Sequence, residues 1–172
     1  MRLTDIKLNN LQDLYIRELK SLYYTENQII DALPNMAEAA TSAELATAFK
    51  THLQQSKTQR ERLERIFRRM DIEPEEEKSN TVAGLIDDGS YIIDAKGDAA
   101  VRDAALVAAA QKVEHHEIAC YGCARTWARR LGFEEDARLL QQTLDEEGMT
   151  DKKLTTMAES QINVEAQQTV RR

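Results

Sequence analysis

The sequence predicts an all-helical protein: a four-helix bundle of two antiparallel helical hairpins, with an extra short helix in the long connection between them. The 172 residues include only six Gly and two Pro, well under the roughly 12% of average proteins. So few turn formers argue against a sandwich or barrel, which needs a turn about every ten residues. Four segments place apolar residues at three- and four-residue steps, the periodicity of a helix.

The first helix is predicted from an apolar stripe that begins at Leu8. Thr4 and Asp5 are the residues expected to cap its beginning. Pro34 predicts a kink near Leu33, because proline removes one donor from the helical hydrogen-bond ladder.

The second helix is predicted to begin at a capping box formed by Thr41 and Glu44. In such a box the hydroxyl accepts from the third backbone N–H, and the glutamate reaches back to the capping residue. The inward stripe of this helix starts at Leu45 and ends at Met70, before Pro74.

The connection between the hairpins covers about residues 71–97. Residues 81–95 carry an apolar pattern, interrupted at Gly89, that predicts one or two short helices. The third long helix is predicted from about residue 98 to residue 131. Gly132 follows it, and glycine readily takes the left-handed conformation that ends a helix.

The fourth helix is predicted over about residues 134–164, with a frayed tail at residues 165–172. The chain shows no internal repeat and no low-complexity segment. We therefore expect one helical bundle domain over residues 1–172.

Charge and targeting signals narrow the class of function. The formal net charge is −7, which argues against nucleic-acid binding and DNA protection because phosphate backbones attract positive surfaces. The first five residues contain Asp5 and begin no apolar core, so no signal peptide is expected. The longest apolar run, residues 104–110, is too short to cross a bilayer. We expect a cytoplasmic protein in which Cys120 and Cys123 are reduced structural thiols.

Acidic residues lie on the inward stripes of three predicted helices. They are Glu26 on the first, Glu114 and Glu117 on the third, and Glu147 and Asp151 on the fourth. Three of them lie 15 residues from a hairpin turn, about 22 Å at 1.5 Å per residue, and therefore near mid-bundle: Glu26, Glu117 and Glu147.

Buried carboxylates at one level predict a metal site. Without a cation, repulsion and desolvation would force most of them to protonate, and converging acids on a bundle form di-iron and di-manganese sites. Two alternatives are open. The acids can be exposed on the helix surfaces, or they can pair with inward cations such as Arg60, Lys112 or Arg125.

The sequence resembles the YciE/YciF family of ferritin-like bacterial stress proteins. The resemblance is carried by LYYTENQ at 22–28, ALPNMA at 32–37, VRDAAL at 101–106, AAQKVEHHEIA at 109–119 and LDEE at 144–147. It implies a ferritin-like bundle with an extra helix in the crossover, a homodimer and a dinuclear metal site. The site carboxylates that it implies are Glu26, Glu114, Glu117 and Glu147, followed by Asp151.

The second helix departs from the ferritin-like pattern. Such sites usually take a Glu-x-x-His pair from this helix, which has none here. Gln55 and Gln59 lie at the expected level and can ligate weakly through a carbonyl oxygen. His52 is predicted to be a packed or capping histidine away from the carboxylates, and neither His115 nor His116 is expected to bind metal.

Two functions are compatible with these residues. The first is a stress protein that binds iron or manganese and meets O₂ or peroxide, with oxidase or peroxidase chemistry left open. The alternative is a structural helical dimer with a vestigial metal site that acts through partner binding. The metal content of the purified protein separates them.

Overall fold

A computed structural model describes residues 6–168 of the chain. Within this range the protein is all helix and loop, which confirms the predicted class. The helices are α1 Leu11–Ala39, α2 Ala43–Arg69, α3 Asn80–Ile93, α4 Ala99–Arg130, α5 Glu134–Met157 and α6 Asn163–Gln168, with a π-helical turn at Ala158–Ile162 between the last two.

Helix α1 begins later than the sequence pattern predicts. Asn10 is its N-cap, and the Asn10 side chain accepts a hydrogen bond of 2.8 Å from the backbone N–H of Asp13. Leu8 precedes the helix and is 49% exposed, so its assignment to the inward stripe is wrong. The predicted capping residues Thr4 and Asp5 lie outside the described residues.

The turn between α1 and α2 is built around a buried carboxylate instead of the predicted capping box. Ser42, not Thr41, is the N-cap of α2, and its hydroxyl accepts from the N–H of Leu45 at 3.3 Å. Thr41 instead donates its hydroxyl to Oδ2 of Asp103 at 2.7 Å. The pairing of Thr41 with Glu44 is therefore wrong, because an acid from α4 binds the threonine hydroxyl.

The crossover contains a single helix, α3. Gly89 was expected to break this segment but lies buried inside the helix. Ile86 and Ile92 of α3 pack on the cluster that contains Met36. Burial of this apolar face on α1 and α4 outweighs the low helix propensity of glycine.

Contacts at the two ends of the bundle fix the directions of the helices. Asp103, near the start of α4, binds the α1–α2 turn. At the other end Asp136, near the start of α5, accepts from Tyr15 at 3.3 Å and from Arg69 at 3.0 Å. The two hairpin turns therefore lie at opposite ends, neighbouring helices are antiparallel and α3 lies in the long crossover. This is the arrangement of a ferritin-like bundle.

Two apolar clusters fill the bundle on either side of its midpoint. One contains Leu33, Phe49 and Leu106, and the other contains Leu19 and Phe67. Each fully buried side chain of this size stabilises the fold by roughly 1.5–3 kcal/mol. Between the clusters lies a polar layer, which the apolar residues separate from both ends of the bundle.

The end of the chain continues as helix further than predicted. Residues 165–168 of the tail that was expected to fray belong to α6, and residues 169–172 lie outside the described range. In the part of the chain that the structure describes, no helix combines the length and apolar character needed to cross a bilayer.

Candidate metal centre

The four glutamates predicted to face the interior form the centre of the polar layer. They come from three helices, and none is more than 1% exposed: Glu26, Glu114, Glu117 and Glu147. Each replaces an apolar residue in the inward stripe of its helix, so each side chain points into the bundle. Their burial removes the alternative in which these acids lie on the helix surface.

Four side chains converge closely enough to share one cation. His52, Glu114, Glu117 and Glu147 each offer a nitrogen or oxygen atom, and these atoms lie within 4.8 Å of one another. We call this group the His–Glu cluster. Nε2 of His52 lies 3.2 Å from Oε1 of Glu114. Helices α2, α4 and α5 each contribute to the cluster.

The prediction that His52 lies away from the carboxylates is wrong. The predicted site lies wholly at the level of Glu117, whereas Glu114 extends it by one helical turn toward the α1–α2 end, where the imidazole of His52 lies. A signal for this was present in the sequence. His52, Ser56 and Gln59 follow each other at four- and three-residue steps, so all three belong to one inward face, and all three are buried.

Glu26 lies beside the cluster and is oriented by a tyrosine. The hydroxyl of Tyr121 donates to Oε1 of Glu26 at 2.5 Å, while Oε2 of Glu26 has no hydrogen-bond partner among the described residues. The Glu26 carboxyl is close enough to Glu117 and Glu147 to raise the pKa of Glu117 and to have its own raised by Glu147.

The two glutamines of α2 occupy different environments. Gln59 is fully buried, and its amide donates to Oε1 of Glu147 and, at 3.1 Å, to Oε2 of Glu146. The carbonyl oxygen of Gln59 has no partner within residues 6–168. Gln55 is half-buried and lines a cavity between α2 and α5.

Asp151 lies at the edge of the polar layer, outside the His–Glu cluster. Its Oδ1 accepts from the amide of Gln111 at 3.0 Å and lies 3.2 Å from Nε2 of the exposed His115. The Asp151 side chain is 20% exposed. Asp151 is not a member of the His–Glu cluster, but it lies close enough to Glu114 to add to the larger effect of burial in raising the pKa of that carboxyl.

The guanidinium of Arg62 lies near the buried glutamates but is bound by a different acid, Glu146. Arg62 makes two hydrogen bonds of 2.6 Å to Glu146, a bidentate pair of the kind arginine favours. The positive charge lowers the pKa of Glu26 and of Glu147, but in both it is a smaller influence than desolvation. Arg62 is therefore not a neutralising partner for the cluster.

The cations proposed as alternative partners lie elsewhere. Arg60 donates to Asn27 at 3.3 Å, Arg125 donates to Gln141 at 2.7 Å, and Lys112 is exposed. Within residues 6–168 no arginine or lysine nitrogen forms an ion pair with any of the four buried glutamates. The alternative in which the buried acids pair with inward arginines or lysines is thus not observed in the described part of the chain.

Several buried polar atoms of the site lack hydrogen-bond partners in the described part of the chain. They are both carboxylate oxygens of Glu117, one oxygen each of Glu26, Glu114 and Glu147, and both ring nitrogens of His52. The 3.2 Å contact between Nε2 of His52 and Oε1 of Glu114 does not have the geometry of a hydrogen bond. Buried polar groups are normally paired, and leaving one unpaired costs about 1–3 kcal/mol. Carboxylate oxygens and an imidazole nitrogen fit a divalent iron or manganese ion.

The pKa values of the buried glutamates and of His52 are consistent with a metal site. Burial, followed by repulsion between neighbouring carboxylates, raises the pKa of Glu26 and Glu117 well above the ordinary value. Burial also raises the pKa of Glu114 and Glu147. It lowers the pKa of His52 to about 4, so the imidazole is neutral at pH 7, as a metal ligand must be.

Neither cysteine is a member of the His–Glu cluster. Both are free, Cys123 is exposed and Cys120 is half-buried. The Cys120 sulfur lies 3.7 Å from Nε2 of His116, and burial raises the pKa of the thiol to about 12. Cys120 is thus a protonated thiol at neutral pH, and a protonated thiol is a poor nucleophile.

Comparison with known proteins agrees with the fold. YciF from Escherichia coli strain K12 is 37% identical over 163 residues, which cover 94% of this chain and 98% of the relative. The crystal structure of the E. coli stress protein YciF has a TM-score of 0.87 at 38% identity, with 91% of this chain and 99% of that chain covered.

Two further solved structures are similar. YcfI from Rhodopseudomonas palustris has a TM-score of 0.85 at 37% identity, over 91% of this chain and 98% of that chain. A protein from Xanthomonas campestris pv. campestris shares the fold with a TM-score of 0.73 at 17% identity, over 92% and 98% of the two chains. The model of the family described as "Domain of unknown function (DUF892)" matches residues 10–167, and the chain belongs to that family.

Proposed function

We propose that this protein binds iron or manganese in the polar layer of its bundle and acts in the handling of metal or oxidants during stress. The observation that carries the proposal is the His–Glu cluster, whose ligand atoms lie within 4.8 Å of one another with no arginine or lysine paired to the glutamates in the described range. The similarity to a protein named as a stress protein supports the biological setting.

The residues suit two adjacent metal positions of unequal strength. His52, Glu114, Glu117 and Glu147 would hold the first ion. Unpartnered oxygens of Glu26 and Gln59 are available for a second. Glu117 has both oxygens free, so it can serve either position. The second position is the weaker one, because an amide oxygen carries no charge.

The surrounding residues prepare the site for this role. The apolar clusters restrict the access of water, and Tyr121 fixes the orientation of Glu26. His52 is neutral, so one of its ring nitrogens carries no proton and can bind a metal ion directly. When bound, iron or manganese supplies a redox-active Lewis acid able to react with O₂ or peroxide.

Metal analysis of protein purified without chelator tests the proposal. We expect about two equivalents of iron or manganese per chain, as in dinuclear carboxylate sites. Glu117→Gln should lose most of this metal, because it removes the charge of the most central carboxylate while keeping its shape. Asp145→Asn is the matched control, since Asp145 is an exposed acid on α5 and should bind no ion.

The same experiment addresses the alternative of a structural dimer with a vestigial site. The hydrogen bond from the Gln59 amide to Glu147 favours this alternative, because it occupies a ligand oxygen without any metal. A protein that is metal-free as purified and binds neither ion when supplied would be structural. We further propose a homodimer in the cytoplasm, to be checked by light scattering and cell fractionation.

A further inference from the structure

A cavity of about 210 Å³ lies between α2 and α5 and reaches the His–Glu cluster. His52 and Glu114 lie at its inner end, and Thr51, Met149 and Thr150 line its outer part. The volume is many times the 10–15 Å³ that one water needs, so a molecule larger than water fits. Met149 is 60% exposed, which places the outer part of the cavity at the protein surface.

The cavity arises from small side chains on the facing helices. Ala48 and Thr51 of α2 and Thr150 of α5 lie where larger residues would close the gap. The hydroxyl of Thr150 donates to the carbonyl of Glu146 one turn earlier in its own helix, so it does not reach across to α2. The result is an opening on the side of the bundle between α2 and α5.

We propose that this cavity, which we call the α2–α5 port, admits and binds a small uncharged hydroperoxide beside the His–Glu cluster. This inference rests on the proposed function, because the port leads to the His–Glu cluster that is proposed to bind the metal. The port explains how a small molecule can reach a centre whose ligands are at most 4% exposed.

The chemistry of the port favours an uncharged hydroperoxide over an ion. Apolar side chains of Phe49 and Leu154 form part of its wall, and Lys153 lies beside them, so a metal cation meets low polarity and a positive charge. At the inner end, His52 and Glu114 present polar atoms without hydrogen-bond partners in the described structure. When a metal ion takes one ring nitrogen of His52 and one oxygen of Glu114, the other ring nitrogen can donate to a hydroperoxide and the other carboxylate oxygen can accept from it, whereas O₂ has no proton to donate.

Chemical labelling of metal-free protein tests whether the port is open. Diethyl pyrocarbonate, a small uncharged reagent that acylates neutral imidazole, should modify His52 more slowly than the exposed His115 but at a measurable rate in the folded protein. Thr150→Trp, which places a large side chain in the port, should slow modification of His52 at least fivefold and leave His115 unchanged. Thr156→Trp is the matched control, since Thr156 is an exposed threonine of the same helix that also bonds to the carbonyl one turn earlier.

Thermal unfolding should show that both tryptophan variants are folded. Equal His52 labelling in wild-type protein and in Thr150→Trp overturns the port, as does labelling of His52 only under unfolding conditions. Because no metal is present, this result is independent of the proposed function, which metal analysis decides separately.

The rate at which hydrogen peroxide oxidises bound ferrous iron tests whether the port admits a hydroperoxide. With hydrogen peroxide as the probe, two ferrous ions each lose one electron, and the peroxide takes up these electrons and two protons and leaves as two waters. At equal iron content, Thr150→Trp should oxidise iron several-fold more slowly than Thr156→Trp, with the same rate of iron loading in both. If iron loading slows and peroxide oxidation does not, the port serves the metal and the hydroperoxide assignment is overturned.

Discussion

The phenolic oxygen of Tyr121 lies 2.5 Å from Oε1 of Glu26, in a buried hydrogen bond that joins α4 to α1 within the polar layer. This bond lowers the pKa of Glu26 against the larger effect of burial, which raises it. It also leaves the second oxygen of Glu26 unpartnered among the described residues. Tyr121 therefore makes Glu26 easier to ionise and orients it for an incoming cation.

Replacement of Tyr121 by phenylalanine should make metal binding require a higher pH. Loss of the hydrogen bond raises the pKa of Glu26 further, and a carboxyl group must lose its proton to bind a metal ion. We expect the midpoint of Mn²⁺ binding, followed by electron paramagnetic resonance between pH 5 and pH 8, to move upward. Tyr23→Phe is the control, since Tyr23 donates to Glu64 outside the cluster at 3.2 Å. An unchanged midpoint in Tyr121→Phe would show that Glu26 is not a ligand.

Replacement of His52 by glutamine should weaken Mn²⁺ binding at least tenfold. Even residues that only orient metal ligands commonly change affinity by about 10–100-fold, and His52 is the nitrogen donor of the His–Glu cluster. His115→Gln is the matched control, because His115 is exposed and contacts Asp151. Calorimetric titration of both variants measures the difference. Equal affinities would remove His52 from the site and leave a centre of carboxylates alone.

The metal-free protein should lose stability as the pH rises from 6.5 to 8.5. The folded-state pKa values of the buried glutamates are raised, so the folded state binds more protons than the unfolded one. Their contribution is complete below the ordinary carboxyl pKa of about 4.3 and is lost as the pH rises through the raised values. The pKa of His52 is lowered from 6.5 to about 4, so His52 makes stability rise with pH, but chiefly below pH 6.5.

The Glu117→Gln variant isolates this effect. Its metal-free form has one ionisable carboxyl fewer in the polar layer, so its melting temperature should fall less over the same pH range. At pH 8 we expect it to exceed wild type in stability by an amount of the order of 1 kcal/mol. Melting curves that fall in parallel for the two proteins would show that Glu117 does not cause the pH dependence.

Removal of the Asp103 side chain should destabilise the bundle strongly without affecting metal binding to the folded state. Asp103 is buried and accepts three hydrogen bonds of 2.7–2.9 Å from the α1–α2 turn. Asp103→Ala should reduce the free energy of unfolding by about 2–3 kcal/mol, because hydrogen bonds to charged groups are strong. Asp98→Ala, which removes the N-cap of α4, should cost about 1 kcal/mol. Urea unfolding compares the two, and equal losses would contradict a special role for Asp103.

Sequence periodicity predicted the helices well because an amphipathic helix must repeat its apolar residues at a fixed step. The same step identified Glu26, Glu117 and Glu147 as inward residues, and their distances from the turns placed them at one level. Capping was predicted less well. Thr41 and Glu44 have the spacing of a capping box, but spacing carries no information about Asp103, which is distant in the chain and adjacent in space.

What the sequence by itself determined was the helical class, the inward position of the glutamates and the level at which they lie, because each depends on the local geometry of one helix. Tertiary structure alone decided that His52 joins the cluster, that Asp151 stays outside it, that Tyr121 binds Glu26 and that a cavity opens between α2 and α5. These features depend on how far each side chain reaches across the bundle, on the rotation of every helix about its axis and on the fit of small residues between neighbouring helices. Such distances between helices are set by the packing of the whole core, and no step along a single helix encodes them.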